Sequence, residues 1–499
     1  MRIFQINASY KPAYIYGGPT MSISKLCEKL VKSGQQVEVL TTLANGKQEF
    51  SYPTGKITLI DRVPVRFFKR ISKDHTHFSP ALLRYLNRTI TNNTSSTNFH
   101  ESINEGRKTK DEFKLTNQQI SESTIKKSHE FNELHKSINE ERKTNDDSKL
   151  TNQQINESTI KRSTNWHEPN EFHESINERR KTKDEFKPSN KQINTSTNKQ
   201  LNIIHIHAWW NLVSVFSCII SLRRGNTIIL SPHGSLSDYS FNNRSFWVKN
   251  IFHLLIGKRL LKHCHFHVTT EKEKKDILRL LNPKSIRVIS NFVQLPSSWK
   301  PPGFAEGGSK HPKIFPPNDA LKLLFLSRIE EKKGLDILFK ALAQLDIPYH
   351  LNIAGTGAQS YISALKKLAD RLNISHKISW IGMLNYKEKF KVIQHHHLLV
   401  LPSHDENFAN VVVESLAMGT AVLLSEKVGL AQYVKENNWG WVSPLHPDAF
   451  CKHLESIFYQ KDQLQTICQK APEKIRTDFN SQRLLEDYLQ FYRQILEHE

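Results

Sequence analysis

The stretch LVLPSHDENFANVVVESLAMGTAVLLSE, residues 399–426, decides the fold. It predicts a strand over 398–401, a polar loop, a helix that opens near Val411 and ends at Gly419, and a second strand over 421–424. This order is half of a doubly wound α/β unit. Glu406 lies in the loop, and we expect Glu414, eight positions on, in the first helical turn.

The loop and helix start can bind an anion. Unpaired N–H groups and the positive end of the helix dipole lie at the first turn, while Glu406 and Glu414 can accept hydrogen bonds from hydroxyl groups. A phosphate flanked by two polyols fits this pattern. A solvated loop followed by an ordinary helix-start acid fits it as well.

Composition limits the class of protein. The chain has 499 residues, of which 38% are hydrophobic, and its mean hydropathy is −0.52, so part of it is expected to bury no core. The net charge of +21 predicts an anionic partner: nucleic acid, an anionic lipid surface or a phosphorylated substrate. Five scattered cysteines indicate neither a disulfide framework nor a zinc site. With no signal pattern and no apolar run of about 20 residues, we expect a cytoplasmic protein.

Residues 92–200 differ in composition from the rest of the chain. HESINEGRKTKDEFKLTNQQISESTIKKS from His100 recurs in variant form from His135 and His173. These units offer too little apolar surface to stack as a solenoid, so we predict a disordered insert. Residues 100–199 hold 19 Lys/Arg and 18 Asp/Glu, and the positive excess therefore lies elsewhere.

On both sides of the insert the chain alternates between strands and helices. This predicts two α/β domains of parallel sheets that face each other across a cleft, with functional loops at the carboxyl ends of the strands. The expected divisions are an N-terminal Rossmann-like domain at 1–91 and 201–295, a Pro/Gly-rich linker at 296–318, a C-terminal Rossmann-like domain at 319–480, and a helix at 481–499 that crosses back.

Three further strand ends carry candidate ligand-binding residues. Gly17 and Gly18 follow the first strand, and His233 with Gly234 follows a strand over 228–230. Paired glycines allow backbone N–H groups to approach a ligand closely. A strand over 321–327 delivers Arg328 and then Lys333, two cations suited to a diphosphate.

A basic amphipathic helix is predicted over residues 245–265, SFWVKNIFHLLIGKRLLKHCH. Its apolar residues alternate with lysine and arginine, as in helices that rest on an anionic membrane. An ordinary domain helix with a solvated face fits the pattern equally well. Both interpretations stay open on the sequence alone.

The order and placement of these motifs resemble those of the retaining, nucleotide-sugar-dependent glycosyltransferases of family 4. The resemblance covers residues 1–90 and 201–499 and implies a GT-B fold, which consists of two Rossmann-like domains. It rests on Gly17-Gly18-Pro19, His233-Gly234, Arg328 with Lys333-Gly334, and the pair Glu406 and Glu414.

The resemblance also implies residue roles. Arg328 and Lys333 would bind the donor's pyrophosphate, Glu406 the transferred sugar and Glu414 the ribose, and His233 would reach the sugar near the reacting centre. The remaining implied donor-site residues are Gly17, Gly18, Leu384, Asn407, Phe408 and Ala409. Asn407 and Asn410 depart from the pattern, since many relatives carry glycine there, and this departure concerns the identity of the donor sugar.

The implied reaction moves a sugar from a nucleoside-diphosphate sugar to a lipid-linked or oligosaccharide acceptor in cell-surface polysaccharide or lipopolysaccharide synthesis. It needs no cofactor and no metal, and it fits a protein that is peripheral on the inner face of the membrane. A nucleotide-sugar epimerase of GT-B shape and a basic nucleic-acid-binding protein are the alternatives. Because the repeats carry almost no net charge and the chain has no zinc spacing or aromatic-basic RNA signature, we expect no nucleic-acid partner.

Overall fold

A computed structural model describes residues 1–72, 76–91, 202–242, 246–296 and 319–497. The predicted disordered insert at 92–200 lies outside the described residues, and so does the predicted linker except for Pro296. The two α/β lobes built by the described residues belong to one compact unit.

The first lobe is built on an eight-stranded sheet with the order β10-β9-β8-β7-β1-β2-β6-β5. β5 pairs antiparallel with β6, and the other neighbours are parallel. A short β3–β4 hairpin stands apart from this sheet. The strands are β1 (Arg2–Ile6), β2 (Gln36–Thr42), β3 (Ala44–Asn45), β4 (Gln48–Glu49), β5 (Ile57–Ile60), β6 (Val63–Phe68), β7 (Asn202–His207), β8 (Thr227–Ser231), β9 (His265–Val268) and β10 (Ser285–Val288).

Helices connect these strands, as parallel pairing requires. Pro19 stands in the first turn of α1, and the side chains of Asn211 and Thr270 cap α3 and α7. The helices of the first lobe are α1 (Gly18–Lys32), α2 (Pro80–Thr91), α3 (Leu212–Arg223), α4 (Asp238–Asn242), α5 (Phe246–Phe252), α6 (Lys258–Leu261) and α7 (Glu271–Leu280).

Two sequence predictions in this lobe were wrong in their bounds. The helix expected over 245–265 ends at Leu261 and contains a π-helical turn at His253–Gly257 between α5 and α6. It ends early because His265 begins β9, which pairs with both β8 and β10. The apolar stretch over 288–292 also predicts a strand that completes this sheet, but the observed strand is β10, which ends at Val288. In both places strand pairing overrides the local pattern.

The second lobe is built on a six-stranded parallel sheet with the order β13-β12-β11-β14-β15-β16. All four residues of the apolar strand LLVL at its centre are buried, as expected for a strand covered by helices on both faces. The strands are β11 (Leu321–Leu326), β12 (Tyr349–Ala354), β13 (Ile378–Gly382), β14 (Leu398–Leu401), β15 (Ala421–Ser425) and β16 (Gly440–Ser443).

The helices around this sheet are α8 (Leu335–Leu342), α9 (Gln359–Arg371), α10 (Tyr386–Gln394), α11 (Asn410–Ala417), α12 (Ala431–Asn437), α13 (Pro447–Tyr459) and α14 (Lys461–Asp478). Asn385 and Glu388 form a capping box at the start of α10. No helix in the described ranges is both long and apolar enough to cross a membrane.

The last helix, α15 (Ser481–Glu497), returns to the first lobe. Its buried face, which includes Tyr488 and Tyr492, packs with Ile3 of β1, Ile203 of β7 and other apolar residues of that lobe. Residues at the C-terminal end of the chain therefore become part of the core beneath the first sheet.

Candidate functional site

Lys333 and Glu406 form an ion pair at the carboxyl edge of the second sheet. Lys333 ends a 3₁₀ turn (Glu331–Lys333) after β11, and Glu406 follows β14. Gly334 has a φ of 68°, and a Cβ there would lie 2.0 Å from the carbonyl oxygen of Pro402, so only glycine allows the turn to lie against β14. The residue Lys333 is only 7% exposed, and its charge is therefore held at a fixed, largely desolvated place.

Arg328 faces the glycine loop of the first lobe. A Cβ at Gly17, where φ is 73°, would lie 3.7 Å from Arg328 Nε. The arginine side chain is about half exposed and donates to Glu330 Oε1 at 2.7 Å. The guanidinium is therefore open to a ligand between the loop and the second lobe.

The helix start at α11 has no side-chain cap. Ala409 precedes the helix with a φ of 68°, and the first residue is Asn410. Glu414 is therefore the fifth helical residue, and its predicted place in the first turn was wrong. It accepts from Lys389 Nζ at 2.6 Å and is only 9% exposed. Lys389, on α10, is a neighbour that no motif in the sequence singles out.

Two implied donor-site residues contribute no free side chain. Phe408 is buried and packs against Phe479, with ring centroids 6.0 Å apart. Leu384 is partly buried against the core of the second lobe. Within the loop from Asn407 to Ala409, Phe408 can therefore contact a ligand only through its backbone.

His233 follows β8 and adopts a φ of 51°, with Gly234 at 76°. Buried Glu273 accepts from the Gly234 N–H at 2.8 Å and so fixes this turn. Burial, together with nearby His267, lowers the pKa of His233 to about 3, so its imidazole is neutral at physiological pH. The ring lies 3.0 Å, Nε2 to Nδ1, from His207.

The asparagines that depart from the family pattern connect the two lobes. Asn407 Nδ2 donates to Thr269 Oγ1 at 2.7 Å, and Thr270 Oγ1 donates to the Asn407 carbonyl at 3.1 Å. Asn410 Nδ2 donates to Ser22 Oγ on α1 at 3.3 Å. The loop that contains Glu406 is thereby held against His233 and the glycine loop.

Asp405 forms a second connection between the lobes that the sequence did not single out. Its carboxylate accepts from Lys332 at 2.8 Å in its own lobe, and from Lys272 and Ser237 of the first lobe, each at 3.0 Å. A pocket of about 490 Å³ adjoins it, lined also by Tyr239. Lys333, Arg328 and Glu414 do not line this pocket, so it lies beside the assembled candidate site.

The structure therefore gathers the candidate residues in three places. Lys333 pairs with Glu406, and Arg328 faces the Gly17–Gly18 loop. His233 and Gly234 lie beside Asn407, since a Cβ at Gly234 would be 3.0 Å from the Asn407 Cβ. Glu414 is instead paired with Lys389, and Leu384 packs, partly buried, against the core of the second lobe.

Comparison with known proteins agrees with this architecture. Residues 309–474 match the family model described as glycosyl transferases group 1. Sucrose-phosphate synthase from Thermosynechococcus elongatus superposes over 100% of both chains with a TM-score of 0.60 at 15% identity. Alr3699/HepE from Anabaena, solved with UDP and glucose, covers 99% of this chain and 100% of its own with a TM-score of 0.58 at 13% identity. The predicted GT-B fold is confirmed.

Sequence relatives cover part of the chain. A phosphatidylinositol N-acetylglucosaminyltransferase component from Homo sapiens is 26% identical over 280 residues, which are 56% of this chain and 53% of that protein. The chain spans about half the length of the curated relatives it matches. The molecule is thus a GT-B protein, and its second lobe matches the glycosyl transferases group 1 model.

Proposed function

We propose that this protein is a retaining, metal-independent glycosyltransferase of family 4. It moves a sugar from a nucleoside-diphosphate sugar to a lipid-linked or oligosaccharide acceptor. The observation that carries the proposal is the partly buried Lys333–Glu406 pair beside the uncapped start of α11. A fixed ammonium, helix N–H groups and a carboxylate at one sheet edge suit a phosphate linked to a sugar.

In this proposal, the cations make the leaving group stable. Breaking the bond between sugar and phosphate places negative charge on the departing nucleoside diphosphate. Lys333, Arg328 and the start of α11 offset that charge without proton transfer, and they are already in place before reaction. Glu406 orients Lys333 and accepts from sugar hydroxyls, while Glu414 accepts from the ribose diol.

The configuration at the anomeric carbon is retained because the acceptor hydroxyl attacks the face that the leaving group departs from, through an oxocarbenium-like state. As the new bond to the acceptor oxygen forms, the hydroxyl proton passes to an oxygen of the departed diphosphate. His233 contacts the transferred sugar from the first lobe, and its neutral ring adds no second positive charge beside the developing cation. The UDP in the Alr3699/HepE structure and the N-acetylglucosaminyl group in the human relative's name support UDP-sugars as the first donors to test.

A donor panel tests the proposal. UDP-, GDP- and ADP-sugars are added to the full chain and thermal unfolding is followed; a donor at 100 times its Kd stabilises the folded state by about 2.7 kcal/mol. We expect one nucleotide class to raise the Tm of the wild type and to raise that of Lys333→Ala much less. No shift with any donor would contradict the proposal, and rapid consumption of a donor without an acceptor would favour the epimerase.

A lipid-linked acceptor would lie at a membrane, and the proposal therefore includes binding of the first lobe to an anionic membrane surface. Trp247, Val248 and Leu254 are each about 70% exposed, and Leu255 is 60% exposed. This apolar surface adjoins the exposed cations Lys258, Arg259 and Lys262. Exposed apolar groups beside lysines are suited to an interface of acyl chains and anionic headgroups.

Vesicle sedimentation tests this surface. Wild type should sediment with phosphatidylglycerol-containing vesicles and lose binding in high salt, because screening weakens the attraction of the cations. Trp247→Ser should reduce binding, and Tyr459→Ser, which removes an aromatic ring of 77% exposure from the second lobe, is the matched control. Equal sedimentation of the two variants would refute the assignment.

A further inference from the structure

Four histidines lie together beneath the cleft face of the first lobe. His205 and His207 are in β7, His267 is in β9, and His233 follows β8. His205, His207 and His267 are buried, and only His233 was singled out from the sequence. Hydrogen bonds connect all four through Ser231, Gln5 and the terminal helix.

The direction of these bonds is set at one end by a backbone carbonyl. Ile289 O can only accept, so His267 Nε2–H donates to it at 2.9 Å. A neutral His267 then accepts at Nδ1, and Ser231 Oγ–H donates to it at 2.6 Å. Because the Ser231 hydroxyl proton is already donated to His267, Ser231 Oγ accepts from His205 Nε2–H at 2.6 Å.

The chain of hydrogen bonds continues from His205 to the cleft. His205 Nδ1 must accept, so the Tyr492 hydroxyl donates to it at 2.7 Å. The Tyr492 oxygen in turn accepts from Gln5 Nε2 at 3.4 Å, and Gln5 Oε1 accepts from His207 Nε2–H at 2.6 Å. His207 Nδ1 is left as an acceptor, and His233 Nε2–H donates to it at 3.0 Å.

These donor and acceptor assignments require neutral rings, and burial supplies them. Burial lowers the pKa of His205 and His207 well below the ordinary value and that of His267 to about 4. Each ring therefore carries one N–H at neutral pH, and each bond in the chain has one donor and one acceptor.

We infer that this directed chain of hydrogen bonds fixes His233 as the Nε2–H tautomer and leaves its Nδ1 as an acceptor at the cleft. In the described part of the protein, no group bonds to His233 Nδ1. Tyr492 and Gln5 are then positioning residues for His233, although Tyr492 lies on the last helix. Given the proposed function, the group that donates to Nδ1 is a hydroxyl of the transferred sugar.

The tautomer can be measured without any substrate. In full-length protein labelled with ¹⁵N-histidine, His233 should show a protonated Nε2 and an unprotonated Nδ1, assigned by the signal lost in His233→Asn. Tyr492→Phe removes the donor to His205 and the acceptor for Gln5, which frees the amide to rotate. We expect His233 to become a mixture of tautomers in this variant.

Tyr488→Phe is the matched control on the same helix. The Tyr488 hydroxyl lies 2.9 Å from His267 Nε2, whose proton already donates to Ile289 O, so this variant should keep the wild-type tautomer. If Tyr492→Phe does not fold, Gln5→Met interrupts the same chain. An Nδ1–H form in wild type, or an unchanged His233 in whichever chain variant folds, would overturn the inference.

Transfer kinetics give a second test. Tyr492→Phe should lower kcat/KM about tenfold, as for loss of a well-placed hydrogen bond, and Tyr488→Phe should not. His233→Asn should retain more transfer than His233→Gln, because the asparagine oxygen lies near the place of Nδ1. The reverse order would contradict the acceptor role. Absent transfer in wild type would refute the proposed function alone, because the tautomer measurement needs no donor.

Discussion

Lys333→Ala is the substitution that most directly tests the proposed leaving-group chemistry. Two unit charges about 4 Å apart at an effective dielectric of about 20 interact by about 4 kcal/mol. Because about 1.4 kcal/mol corresponds to a tenfold change in rate, removing the ammonium should lower the rate constant of the transfer step by about three orders of magnitude. A second effect would lower the rate further, because the substitution also removes the ion-pair partner of Glu406.

The assay is single-turnover release of nucleoside diphosphate from saturating donor and acceptor, which isolates the step in which negative charge develops. Lys340→Ala is the matched control, because it removes an ammonium from α8 in the same lobe, where the side chain is 52% exposed. Thermal unfolding of both variants separates loss of chemistry from loss of fold.

Lys333→Arg separates charge from geometry. The guanidinium keeps the positive charge but is larger and planar, so at this nearly enclosed position we expect partial activity between wild type and the alanine variant. A Lys333→Ala protein that folds and releases diphosphate within tenfold of the wild-type rate would refute the assigned role.

Three further predictions concern other parts of the site. Burial alone would raise the pKa of Asp405, but Lys332 and Lys272 outweigh it and lower the pKa; the stabilisation is therefore present above about pH 4 and is lost as the pH falls further. Asp405→Asn should lower the Tm at pH 7 and flatten its fall in acid, as measured by calorimetry; an unchanged pH profile would contradict this. Glu414→Gln should raise the donor KM about tenfold with kcat nearly kept, since a neutral amide is a weaker acceptor for the ribose diol; an equal loss in kcat would argue against that role. EDTA should leave the initial transfer rate unchanged. If EDTA abolished transfer and added metal restored it, the proposal that cationic side chains stabilise the leaving group without a metal would be contradicted.

The sequence predicted the elements whose signal is local. Residues 398–401 form β14 because an uninterrupted apolar run suits a strand covered on both faces, and Gly334 stands where the turn admits no Cβ. Placement within the helix was less accurate. The left-handed Ala409 starts α11 at Asn410, and this moved Glu414 beyond the first turn.

What the sequence could not show are the partners of these residues. Lys389 reaches Glu414 across 25 positions, Lys272 reaches Asp405 across 133, and Tyr492 reaches His205 across 287. No periodicity or spacing encodes such pairs, because each depends on how whole elements pack. Charged and aromatic side chains that look like surface or core residues in the sequence become site residues only through the fold.

The two asparagines show how a departure from the family pattern is accommodated by the rest of the chain. A Cβ at Gly234 would lie only 3.0 Å from that of Asn407, so a side chain at 407 favours glycine at 234, and the φ of 76° at Gly234 favours it further. The Asn407 amide is committed to Thr269 in the first lobe, and Asn410 bonds to Ser22. Each bond contributes about 1 kcal/mol to holding the loop of Glu406 against the first lobe. The asparagines therefore act on the spacing between the lobes and leave the Lys333–Glu406 pair intact, so the proposed charge chemistry does not depend on which sugar they favour.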